Sequence, residues 1–170
     1  WGMGASPFGH LGMGDLNVQN TPVKIVSSGV RQISAGQSHS LYLKNDGSVW
    51  GMGLNQTGQL GLGTLNQTNI PVELFKSRAK DIHAGRHHSL VLLMDGTLWG
   101  SGQNFKGELG LGDLLTRNTF TQIATGVMRL ADVMSNEQTV TSAANMEMIW
   151  VEPGTFTMGR PTTEAGRGTN

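Results

Sequence analysis

Cysteine is absent from all 170 residues. That excludes disulfides, thiolate zinc sites and cysteine nucleophiles within them. Charge is scarce as well: charged residues make up 14% of the chain, and 12 Lys+Arg balance 12 Asp+Glu to a formal net charge of zero. A neutral chain carries no electrostatic footprint for nucleic acid or an anionic membrane surface, so neither is expected as a partner. No run of about 18 apolar residues occurs, which excludes a membrane-spanning helix. The front of the chain has no signal-peptide pattern. No segment shows sustained helical periodicity with caps at its ends, so an α-helical fold is not expected either.

Glycine is what the sequence has in excess, 25 of 170 residues. The densest run is WGMGLNQTGQLGLG, from Trp50 to Gly63. A phosphate-cradling loop would place its glycines between a strand and a helix, with a Lys-Ser/Thr pair or a G-x-G-x-x-G spacing. Glycines at 51, 53, 58, 61 and 63 meet neither spacing. The run also recurs, as WGMGASPFGHLGMGD from Trp1 and WGSGQNFKGELGLGD from Trp99, with a period of 49 residues. Pro22 and Pro71, Ala35-Gly36 and Ala84-Gly85, His39-Ser40-Leu41 and His88-Ser89-Leu90, and Asp46-Gly47 and Asp95-Gly96 keep the same period. An internal repeat of this length points to a repeat architecture. Its glycines are expected where turns need positive φ or where units crowd together, with Leu11, Leu60 and Leu109 as apolar plugs among them.

Each unit reads as β. HSLYL and HSLVLL are apolar runs, joined through Asp-Gly to SVWG and TLWG, which predicts hairpins closed by type I′ turns. VRQISAG and AKDIHAG predict a preceding strand, and TPVKIV and IPVELF a further one with Pro at its start, where no ladder N–H is needed. Four short strands in about 50 residues is the pattern of a propeller blade.

The Trp-Gly-x-Gly run, the AGQSHSLYLKNDGSVWGMG before it and the Pro-Val after it resemble the regulator-of-chromosome-condensation repeat over residues 1 to about 126, with repeat starts at Trp1, Trp50 and Trp99. The resemblance implies an all-β fold: a partial β-propeller of about three repeats, in four-stranded antiparallel blades offset from the sequence repeats. The sequence opens inside a motif, so further blades are expected from an upstream chain or from self-association. The founding member exchanges nucleotide on a small GTPase and binds chromatin. Neither activity follows from the repeat, since these copies carry no wedge-like insertion and no positive charge.

No catalytic constellation, cofactor motif or metal-ligand spacing stands out, so none is expected. His39 and His88 lie one repeat apart and are expected to bond backbone on an adjacent strand. Asp46 and Asp95 are expected to do turn chemistry, and Trp50 and Trp99 to pack blades with an indole N–H that needs a partner. Asn55-Gln56-Thr57 and Asn66-Gln67-Thr68 fit the N-glycosylation pattern. Positions that vary on the repeated frame are the candidate partner contacts: Phe8, Gln56, Thr57, Arg86, His87, Phe105 and Lys106. The function expected from these residues is non-catalytic binding of a protein or glycan. A bacterial secreted or cell-envelope setting is the expectation for compartment.

The frame decays after residue 126. Position 120 is Phe where Pro is expected, and residues 127–147 read as a degenerate last strand and linker. MIWVEPGTFTMGRP, at the head of residues 148–170, resembles the opening of the formylglycine-generating, sulfatase-modifying-factor family. That resemblance implies the truncated start of a C-type-lectin-like domain in a larger multidomain protein. It leaves open a second role, as the targeting arm of an enzyme.

Overall fold

A computed structural model describes residues 1–130 of the chain. Ten strands form there: β1 Gly2–Gly4, β2 Gln19–Val23, β3 Val30–Ala35, β4 His39–Lys44, β5 Val49–Gly53, β6 Thr68–Phe75, β7 Ala79–Ala84, β8 His88–Leu93, β9 Leu98–Gly102 and β10 Arg117–Ala124. They make two four-stranded antiparallel sheets, β3-β4-β5-β6 and β7-β8-β9-β10, and a two-stranded sheet β1-β2. The sequence repeat and the sheet are out of phase, as the resemblance implies. Each Trp-led half supplies the last two strands of one blade, and the residues that follow supply the first two strands of the next. The fold is thus all-β, made of propeller blades, with β1-β2 as the outer half of a further copy.

The first strands of the two blades lie against each other and are stitched by side chains. Arg31 Nη2 donates to the carbonyls of Ala79 (3.2 Å) and Lys80 (2.8 Å). Gln32 Nε2 donates to Asp81 Oδ1 (2.6 Å) and the Ile82 carbonyl (3.1 Å), and Ala84 N–H donates to Ser34 Oγ (2.9 Å). Between the sheets, Leu41, Leu43 and Val49 of the first blade pack on Ala79, Ile82, Ala84 and Val91 of the second. Phe120 joins this core rather than weakening it. Its ring meets Phe75 edge-on, with centroids 4.8 Å apart and planes 67° apart, so the third repeat still delivers a complete outer strand.

Two local expectations are corrected. The Asp-Gly pairs do not form type I′ turns, because Asp46 and Asp95 keep negative φ and only Gly47 and Gly96 take φ of 80°. Gly47 N–H donates to the Lys44 carbonyl (3.0 Å) and Lys44 N–H to the Ser48 carbonyl (2.9 Å). This is the three-residue hairpin, a type I turn followed by a left-handed glycine bulge. It leaves the Asp46 carboxylate free to accept from Ser48 N–H (2.9 Å) and Ser48 Oγ (2.6 Å), while Ser48 Oγ in turn accepts from the Trp50 indole N–H (3.0 Å). Asp95, Thr97 and Trp99 repeat the chain. The expected indole partner is therefore the turn hydroxyl two residues back.

Proline is the second correction. Pro71 sits inside β6 rather than at its start, beside a register irregularity between Gly51 and Gly53 on the partner strand. β6 is an edge strand, and a bulge on an edge needs no ladder donor.

The repeat frame extends just past residue 126, and there the period slips. Val127 N–H donates to the Gly96 carbonyl (3.0 Å) as Ala79 N–H does to the Gly47 carbonyl (3.0 Å), but 48 residues on. The remainder of the expected 127–147 linker and the whole of the 148–170 segment lie outside the described residues.

Candidate functional site

Antiparallel topology sends the turns 36–38 and 85–87 and the long loops 5–18, 54–67 and 103–116 to one end of the blades; the hairpins at 45–47 and 94–96 occupy the other end. All seven candidate contact residues fall on the long-loop end.

Each long loop is built around one buried side chain. Asn55 Oδ1 accepts from Leu60 N–H (2.8 Å), and its Nδ2 donates to the carbonyls of Thr64 (2.8 Å) and Asn66 (3.2 Å). Asn104 does the same with Leu109 N–H (2.8 Å) and the Asp113 carbonyl (2.9 Å). In the first loop Ser6 keeps only the bond from Leu11 N–H (3.0 Å). The apolar plugs Leu11, Leu60 and Leu109 close over these staples and are 8%, 0% and 1% exposed. Asn55 is fully buried, so this half of the glycosylation expectation fails: its amide nitrogen already serves the loop.

The loops also grip the next blade. Gly63 N–H donates to the Asn118 carbonyl (2.7 Å), and Asn118 Nδ2 donates back to the Gly63 carbonyl (3.2 Å). Gly14 and Asn69 make the same exchange at 2.8 and 2.7 Å. Gly58 has φ of 77° and rests on the Asn118 backbone, where any Cβ would overlap it. Thr57 adds a stitch, since its Oγ1 lies 3.1 Å from the His87 carbonyl and 2.7 Å from Gln59 Oε1.

His39 takes part in the same junction, but not as expected. Its Nε2 lies 3.0 Å from Ser89 Oγ on the next blade, a hydroxyl in place of the expected backbone group. Ser89 Oγ donates its proton to the Gln59 carbonyl (2.6 Å), so the imidazole N–H is the donor to Ser89. A histidine–serine pair at this distance has the geometry of a base and a nucleophile. Here both side chains are sealed from solvent, the serine proton is committed to a carbonyl, and Nδ1 has no orienting partner. The pair acts as a blade-to-blade bond. Gly36 and Gly85 are glycines because the rings of His39 and His88 pack where a Cβ would stand. Burial, reinforced by the neighbouring His88, His87, His83 and His10, lowers the His39 pKa to about 4. Burial likewise lowers that of His88, helped by His83, and that of His83, opposed there by Asp81.

Gln56, Thr57 and Phe105 come together. With Leu65, Thr116 and Asn118 they line an open groove of about 370 Å³ between the second and third long loops. Phe105 is 62% exposed beside it. Arg86 and His87 sit on the β7–β8 turn. Arg86 Nε is held by Gln37 Oε1 (2.8 Å), and His87 contributes its carbonyl to Thr57 and to Gln103 N–H (2.9 Å). Lys106 is exposed on the third loop, its N–H capped by Glu108 Oε2 (2.8 Å), and Phe8 is half-buried in the first loop. Neither lines the groove. The variable-position argument missed Thr116, which does vary between repeats, and also Leu65 and Asn118. Leu65 and Asn118 hold their identity across the repeats, as Leu16, Leu65 and Leu114 and as Asn20, Asn69 and Asn118, and threefold identity was the available signal for them. Among the described residues no cluster of His, Asp or Glu could hold a metal ion.

The model of the regulator of chromosome condensation (RCC1) repeat matches residues 1–43 and 46–92, and a second model of the same description matches 30–59 and 79–108. No curated protein matches the chain. Among solved structures, human WBSCR16 superposes with a TM-score of 0.60 at 25% identity, over 73% of this chain and 34% of that one. Prp20p from Saccharomyces cerevisiae, described with its binding to Gsp1p and histones, gives 0.60 at 23% identity, over 73% and 34%. The yeast RCC1 (Prp20) structure with Kap60 gives 0.58 at 24% identity, over 74% and 32%. The chain thus spans about a third of the length of the propellers it matches. Neither family model reaches residues 148–170, so the likeness to the sulfatase-modifying-factor family has no support beyond the sequence motif. The repeats, the blades they build and the family models agree, and the chain belongs to the regulator-of-chromosome-condensation (RCC1) repeat family.

Proposed function

We propose that this chain is a non-catalytic recognition module that binds a protein partner with the long-loop end of its blades. The observation that carries the reading is the convergence of Gln56, Thr57 and Phe105 on one groove. These positions vary between repeats, while the Leu plugs beneath them do not and the staple changes only to Ser6 in the first loop. A rigid frame with changing tips is how a repeat scaffold differentiates its surface. Prp20p binds Gsp1p and histones, and yeast RCC1 is seen bound to Kap60, which supports a protein as the class of partner. Histone binding itself is not carried over, since this chain has no net positive charge to offer.

A photo-crosslinking amino acid placed at Gln56 or Phe105, and for contrast at Met94 on the opposite hairpin end, tests the reading in cells of the source organism. Adducts with a discrete protein from the first two positions and not from the third are expected. Equal labelling from both ends would overturn it.

A further inference from the structure

The second long loop has the second blade on one side and the β1-β2 half-blade with its own long loop on the other, yet Leu65 on it is 54% exposed. Its repeat equivalents Leu16 and Leu114 are 50% and 61% exposed. The contrast with Leu11, Leu60 and Leu109 is instructive. Those leucines are repeated because they fill the loop interior. Leu16, Leu65 and Leu114 are repeated with the same fidelity and fill nothing. An apolar side chain kept in solvent at the same place on three successive loops is a surface feature in want of a cover.

The chemistry around Leu65 narrows what covers it. Phe105 forms an apolar wall of the groove, and the third loop carries a further exposed leucine, Leu115, at 66%. The polar groups of the groove are carboxamides and hydroxyls, from Gln56, Thr116 and Asn118, and no ionisable side chain lines it. Carboxamides and hydroxyls pair with a peptide backbone, which offers alternating donors and acceptors. The leucines and the phenylalanine suit apolar side chains, and more of them than a sugar ring would need. A neutral lining gives a charged segment no compensation for lost hydration. Repetition at each loop suits an extended chain that meets one loop after another rather than a compact ligand.

We infer that the groove between the second and third long loops receives an uncharged, apolar side chain from an extended segment of the partner protein, with Leu65 and Phe105 gripping that side chain and Gln56 and Thr116 bonding its flanking backbone. Leu16 and Leu114 offer equivalent footholds on the neighbouring loops. This rests on the reading of the long-loop end as a protein-binding face.

The test uses the full 170-residue chain as bait for a phage-displayed library of random 12-residue peptides, followed by titration of the enriched peptides. Enriched peptides are expected to be uncharged with at least two apolar residues. Leu65→Ser and Phe105→Ser are each expected to weaken them about tenfold or more, the loss typical of a buried apolar anchor. Met94→Ser, on the far hairpin end, is expected to leave binding unchanged. Thermal melts matched to the parent chain establish that the variants fold. Enriched peptides indifferent to Leu65→Ser and Phe105→Ser but weakened by Arg86→Ala would overturn this groove and leave the binding face standing. Failure to enrich any peptide, enrichment only of charged ones, retention of neutral polysaccharide instead, or self-association abolished by Leu65→Ser would each overturn the inference.

Discussion

A buried histidine sets the acid sensitivity of the blade junction. His39 reaches across to Ser89 as a neutral donor, and burial holds its pKa at about 4 against an ordinary 6.5. The folded state therefore binds fewer protons than the unfolded chain between these values. Stability is complete above about pH 6.5 and falls as the pH drops toward 4, by about 3 kcal/mol from this residue. His83 and His88, also lowered, add losses of the same sign. Urea unfolding at pH 7.5 and 4.5 checks this. His39→Gln, weaker at pH 7.5, is expected to show a smaller loss on acidification than the parent, and an identical loss would refute the assignment. The histidine–glycine pairing was half legible. AG and HSL were visible as recurring letters, but that ring and missing Cβ occupy one space shows only in three dimensions. A second residue breaks a local rule. Arg78 holds φ of 72° at the place where the other copies have Gly29 and Gly126. A left-handed L-residue costs about 1–2 kcal/mol, and glycine returns part of the gain through its freer unfolded chain. Arg78→Gly is expected to raise stability by roughly 0.5–1 kcal/mol in the same urea assay.

At the scale of the element, the long loop is a self-contained device: one buried amide, one leucine plug and a glycine that admits the neighbouring strand. Asn55 satisfies one buried N–H and two carbonyls. Asn55→Ala leaves these unpaired and is expected to cost about 3 kcal/mol, since each stranded polar group costs about 1–3 kcal/mol in burial. Asn55→Ser copies the first loop, where Ser6 supports Leu11 N–H alone, and is expected to cost about half as much. Chemical denaturation of the two variants distinguishes them, and equal losses would show that the Leu60 bond contributes little. The strands themselves were legible, because apolar runs and Asp-Gly punctuation recur with the period. The turn type was not. An Asp-Gly pair suits both a type I′ turn and a type I turn with a glycine bulge, and the Ser or Thr that follows, bonded to Asp, selects the second. Nor did sequence separate the buried Asn55 from the exposed Gln56 beside it. Both read as polar loop letters until the loop closes around one of them. The contact set was legible where variation marks a loop tip, as at Gln56 and Phe105, and not where the groove wall is invariant, as at Leu65 and Asn118, or where a varying residue lies at the foot of the loop, as at Thr116.

On the scale of the whole molecule, equivalent residues meet unequal surroundings, and the inequality measures what a neighbouring blade contributes. Ile82 is 2% exposed because the first blade covers it, whereas Ile33, at the same repeat position on that first blade, is 75% exposed. Covering such a side chain is worth roughly 1.5–3 kcal/mol. An isolated chain therefore carries an uncovered apolar face beside the open edge of β3, a combination that promotes association. Sedimentation of the purified chain is expected to show concentration-dependent oligomers. Ile33→Lys should disperse them and leave the melting temperature unchanged, because that side chain packs on nothing in the monomer. Ile82→Lys, the same change one repeat later, would place a charge in the core between blades and is expected to prevent folding. A monodisperse parent chain, or an Ile33→Lys variant as destabilised as Ile82→Lys, would mean that the first blade face is not the uncovered surface its exposure indicates.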